Sequence, residues 1–120
     1  MLIPGQPLDH KYIHTAGRMS ECPTLKELKQ QVWKFVGEKW EELALALGLD
    51  EDQESMEKLD GIREKRKGND SMASYDVLVL WQNNEKDNPT WEKLVSALDE
   101  AGLQDAVSSI NGYLSKQHYN

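Results

Sequence analysis

Apolar residues recur along this chain at the spacing of a helix face, and no segment shows the convincing alternation of a half-buried strand. The clearest segment is residues 40–49, W-E-E-L-A-L-A-L-G-L. Trp40, Leu43, Ala44 and Leu47 fall at i, i+3, i+4 and i+7, one stripe of a helix. Gly48 sits where such a helix ends in a left-handed cap, and Leu49 can then fold back on it. Upstream, Thr24 with Glu27 three residues on is a capping-box pattern after Pro23. Leu25, Leu28, Val32, Phe35 and Val36 give the inner face of a helix over 24–36, with Trp33 at its edge, and Gly37 breaks it. Downstream, Asp50 is placed to cap a third helix with Gln53 reaching back. Met56, Leu59 and Ile62 face inward there, and Gly61 weakens the later turns, so that this helix is expected to be short or shifted. Residues 68–71 read as a loop with a cap.

The fourth helix, 71–84, is apolar nearly all round through Met72, Tyr75, Val77, Leu78, Val79, Leu80 and Trp81, which predicts burial on more than one side. Asn88 as N-cap with Pro89 at the first helical position opens a fifth helix. It carries Trp91, Leu94, Val95 and Leu98 to a stop at Gly102. Leu103, Ala106, Val107, Ile110 and Leu114 define a sixth, in which Gly112 favours early fraying, and 115–120 reads as a tail. Six short helices with connections of a few residues predict a compact antiparallel all-α bundle.

Composition narrows the function classes. The chain has 120 residues, enough for one domain and one core, and its formal net charge of −7 disfavours nucleic acid and anionic membranes. Cys22 is the single cysteine, so no internal disulfide forms and a cytoplasmic, reducing setting is expected. No apolar run approaches membrane-spanning length, and the first 17 residues lack the pattern of a secretory signal. Residues 1–22 have no clear period and read as an arm, although Leu2, Ile3, Leu8, Tyr12 and Ile13 could dock on the domain.

Candidate chemistry does not assemble. Asp9, His10 and His14 are the only cluster with the look of metal ligands, and no third strong ligand is placed beside the two histidines. A calcium loop starting at Asp50 would need Gly at Ser55 and Glu at Gly61. Cys22 has no histidine placed near it, and no glycine-rich phosphate loop exists, so the chain is read as non-enzymatic and without cofactor.

The tryptophans in order resemble the death domain family over about residues 23–116. Trp40-x-x-Leu43-Ala44-x-x-Leu47-Gly48-Leu49 looks like its second-helix signature, and Leu78-x-x-Trp81 like its fourth. Thr90-Trp91-x-x-Leu94-x-x-Ala97-Leu98 is similar to its fifth, and Leu103-x-x-Ala106-x-x-x-Ile110 to its sixth. The resemblance implies a six-helix antiparallel Greek-key bundle, the death fold, with Trp40, Leu43, Leu47, Leu78, Trp81, Trp91, Leu94, Leu98 and Ile110 in its core. It bounds a domain over 23–116, which leaves the arm over 1–22, with no family counterpart, and a tail over 117–120. It also implies homotypic association with other death-domain proteins, self-association included, in intracellular signalling of the apoptotic or inflammatory type. The alternative is a helical domain docking within a larger protein. Two unlike charged patches suit the first reading. Glu41, Glu42, Asp50, Glu51, Asp52, Glu54 and Glu57 form an acidic patch, and Arg63, Lys65, Arg66 and Lys67, with Lys26, Lys29 and Lys34, a basic one.

Overall fold

A computed structural model describes residues 19–84 and 88–119, with side chains to residue 116. The regular elements among the described residues are all helices, with no strand. In chain order the helices are α1 (Leu25–Gln31), α2 (Trp33–Val36), a 3-10 turn (Gly37–Lys39), α3 (Trp40–Ala46), α4 (Gln53–Lys65), α5 (Asp70–Gln82), α6 (Trp91–Glu100) and α7 (Gln104–Tyr119). The helix expected over 24–36 is thus kinked in two at Val32, whose backbone leaves the helical region (φ −124°). The 3-10 turn then leads directly into α3. Counting α1 and α2 as one, the bundle has the six helices of the death fold.

Local signals account for most boundaries. The capping box at α1 forms as expected: Glu27 N–H donates to Thr24 Oγ1, and Thr24 N–H to Glu27 Oε1. Tyr113 of α7 donates its hydroxyl to the other oxygen of Glu27, so the α1 cap is also a tertiary contact. At α4 the cap is Asp52, not Asp50; its carboxylate accepts from Ser55 N–H at 3.1 Å. At α6 it is Thr90, not Asn88, so Pro89 precedes the helix. Both corrections have one cause. Asp52 and Thr90 hold the extended backbone an N-cap needs, and their side-chain oxygens reach the amide three residues on. Gly61 does not shorten α4, and Gly112 does not fray α7, which runs on through residues expected to be tail. A glycine in a helix interior costs only about 0.5–1 kcal/mol, which packing elsewhere on the helix outweighs.

The end of α3 decides what enters the core. Gly48 adopts φ +78°, its N–H bonds Leu45 O, and Leu49 N–H reaches back to Ala44 O at 3.1 Å, a Schellman turn. That reversal buries Leu49 fully and leaves Leu47, expected in the core, half-buried at its edge. The same device at Gly102 (φ +80°) turns Leu103 inward after α6.

Helix α5 is the hub, packing against α1, α2, the 3-10 turn, α3 and α4, while α6 and α7 close the other side. Of its residues only Asp70 and Ser71, at its start, are exposed. The core gathers Trp40, Leu43, Leu78, Trp81, Trp91, Leu94, Leu98 and Ile110 around it. The Trp40 indole N–H donates to Asp70 at 3.2 Å, and that of Trp33 to Ser71 O at 2.7 Å, so two tryptophans pin the start of α5. Met56 is the exception among the expected inward residues. It is exposed, and Ser55 beside it is buried. The buried Trp91 indole N–H has no partner among the described residues.

Two measurements follow by denaturant unfolding. Trp40→Ala lowers stability by about 3–5 kcal/mol, the range for a buried aromatic. Gly48→Ala destabilises by about 1 kcal/mol or more through its positive φ, whereas Gly61→Ala, where an added Cβ meets nothing within 4 Å, stabilises by about 0.5–1 kcal/mol. Equal effects at the two glycines would contradict this account.

Candidate interaction surfaces

The charged residues divide into those that the bundle uses for itself and those left facing solvent. Arg66, at the end of α4, places Nε 2.7 Å from Asp76 of α5, with both side chains about three-quarters buried. Arg63 bonds Glu41 of α3 at 3.0 Å and Asp60 one turn back on α4. The expected basic run 63–67 therefore does not present four free cations. Lys65 and Lys67 remain exposed with no ion pair among the described residues. The acidic patch is similarly reduced. Asp52 is a cap, Glu54 pairs with Lys58, and Glu57 accepts from Gln53. Glu41 belongs to the seam between α3 and α4, where the two expected patches meet in the Arg63–Glu41 pair.

One unspent acidic surface is the outer face of α3. Glu38, Glu42 and Leu45 stand exposed there at i, i+4 and i+7, beside Glu41, which is held by Arg63. Leu45 is half-exposed, one of two large apolar side chains so displayed, with Met56 the other. Asp50 and Glu51 lie exposed just beyond the helix. The stripe that buries Trp40, Leu43 and Ala44 necessarily turns these residues outward.

The basic surface lies on a different seam, between α1–α2 and α5. Lys26, Lys29 and Lys34 are exposed there. Lys29 Nζ stands 6.0 Å from the ring centre of Tyr75, whose ring is 5.4 Å from that of Trp33. Lys34 lies over Phe35 at 5.3 Å. The ammonium groups of Lys29 and Lys34 thus lie over half-buried aromatic rings and have no ion pair among the described residues, which leaves their charge for an anionic partner.

A third feature was not foreseen. On their outer side α4 and α5 diverge into an open groove floored by Ile62, Val79 and Leu80. It consists of two contiguous depressions of about 420 and 440 Å³ that share Lys58, Leu80 and Asn83. Gly61 lies on its wall. Sequence periodicity assigns these apolar residues to buried faces but does not say that a gap is left between two such faces. The partner of Arg66 was more legible, since Asp76 is the one acid inside the apolar run of α5 and such a group needs a counter-charge.

The remaining candidates carry no chemistry. Cys22 is exposed, and its thiol donates to Asn88 Oδ1 at 3.2 Å. The Asp9, His10 and His14 cluster and the arm's apolar residues lie outside the described residues. Among the described residues no group of three acidic, histidine or cysteine side chains could hold a metal ion, and no helix is long and apolar enough to cross a membrane.

The Arg66–Asp76 pair predicts a double-mutant-cycle coupling of about 1–2 kcal/mol, because both groups are mostly withdrawn from water. The exposed Lys58–Glu54 pair should give about 0.3–0.5 kcal/mol. Coupling no larger at the first pair than at the second would remove its structural role.

Comparisons with curated proteins and with solved structures return no match. The family model for the Death domain matches residues 25–114, three quarters of the chain, spanning α1 through the buried Leu114 of α7. The chain therefore belongs to the Death domain family, a family of protein-interaction modules.

Proposed function

We propose that the chain joins other death domains head to tail, the acidic outer face of α3 on one molecule meeting the basic α1–α2 seam on another, in intracellular signalling of the apoptotic or inflammatory type. The observation that carries this is the placement of the unspent charges. Glu38 and Glu42 with Leu45 stand on one surface, and Lys26 with Lys29 and Lys34, the latter two over aromatic rings, stand on another. Each pairs a charge of one sign with an apolar contact, which suits a polar rim around a small apolar centre. Unlike patches on one molecule make a heterologous contact, and such contacts close into rings or run on as helical stacks. Charge complementarity would govern association rate and partner choice more than affinity. Because its members act as interaction modules, the family supports a binding role rather than catalysis.

Reversal of the 63–67 run is a poor test, since Arg63 and Arg66 hold the bundle together. The better variants are Lys26→Glu/Lys29→Glu/Lys34→Glu and Glu38→Lys/Glu42→Lys. Light scattering of the parent chain should show assembly at low salt that fades as salt rises, since screening shortens the reach of surface charge. Each variant alone should be monomeric, and an equimolar mixture of the two should stop at a dimer, because only one complementary pair of faces survives. A parent chain monomeric at every salt concentration would end the self-association reading. Variants that assemble like the parent would remove these two faces.

A further inference from the structure

We propose that residues 1–8 of this chain dock in the groove between α4 and α5, so that the arm is an intramolecular occupant of that groove. The groove is separate from the two surfaces assigned to association. Its floor is aliphatic, through Ile62, Val79 and Leu80, and its rim is nearly balanced in charge. Lys58 pairs with Glu54, and Asp76 with Arg66. Lys65 on the wall has no ion pair among the described residues, so such a site disfavours a basic segment, and its aliphatic floor favours an apolar one. Residues 1–8, M-L-I-P-G-Q-P-L, carry no charged side chain and three large aliphatic ones, Leu2, Ile3 and Leu8. Pro4 and Pro7 favour an extended backbone, which loses little freedom on lying in a groove.

Gly61 is the second observation. It lies mid-helix on the groove wall, where it costs about 0.5–1 kcal/mol relative to alanine. Nothing in the bundle requires it there: its φ is helical, and a Cβ would meet no atom within 4 Å. The missing side chain does leave room for another chain to approach the α4 backbone.

The tether is adequate. Where the described chain begins, its backbone is fixed beside the Asn83 end of the groove. Gln82 Nε2 donates to Pro23 O at 3.0 Å, and Trp91 N–H to Glu21 O at 2.9 Å. A stretch of ten residues, such as 9 to 18, can span at most about 35 Å. The groove runs along α5 from Asn83 to Asp76, about 10 Å of helix. A tether of this length holds the segment at an effective concentration on the order of millimolar, so weak aliphatic contacts suffice.

The test uses the full chain with Cys22→Ser and a nitroxide on Gly5→Cys. Paramagnetic broadening of backbone amide signals is read by NMR. The expected result is broadening centred on Gly61, Ile62, Val79 and Leu80. It should vanish in Leu2→Asp/Ile3→Asp/Leu8→Asp, and also in Gly61→Leu, which fills the groove while keeping or raising the melting temperature. Groove amides that stay sharp in the parent chain would overturn the proposal. So would equal broadening when the nitroxide chain is mixed with a separate isotope-labelled chain, since the occupant would then be a second copy.

Discussion

Covering α5 on nearly every side is the constraint from which the rest of this bundle follows. Its thirteen residues are apolar around most of the helix, so no single neighbour can remove them from water. Five preceding segments converge on it, and the tryptophans supply both area and direction. The indole N–H groups of Trp33 and Trp40 end on Ser71 O and Asp70, so each ring can be buried without stranding its donor. The buried Ser74 hydroxyl is likewise satisfied within the helix, by Ser71 O. The far wall is built around Trp91, whose ring packs 6.1 Å from that of Tyr113, and the Tyr113 hydroxyl joins that wall to the α1 cap through Glu27.

The surfaces follow from the same constraint. Once the inner stripes are committed to α5, charges close to a seam are drawn into it, as Arg66 is to Asp76 and Arg63 to Glu41. Those pairs fasten α4 to its neighbours and are unavailable to a partner without cost. What is left for recognition is not held in such pairs: Glu38 and Glu42 beside α3, and the lysines of α1 and α2, with Lys29 over Tyr75 and Lys34 over Phe35. Counting charges along the chain overstates the second of the two expected patches, because the count cannot distinguish a free cation from one held by an acid many residues away.

The amino-acid sequence by itself determined the helices, their number and most of their stops. It did so because a helix stripe, a capping side chain and a left-handed glycine are all local: Thr24–Glu27, Gly48 and Gly102 each act within a few residues. It determined the tryptophan and leucine anchors for the same reason, and with them the family. Only the tertiary structure decided that Leu49 rather than Leu47 fills the core, that Met56 faces out, and that Arg63 and Arg66 are spent on Glu41 and Asp76. It alone opened a groove between α4 and α5. Periodicity says which residues share a face. How wide the covered part of that face becomes depends on where neighbouring helices stop, turn and diverge, and those distances arise only when the whole chain has packed.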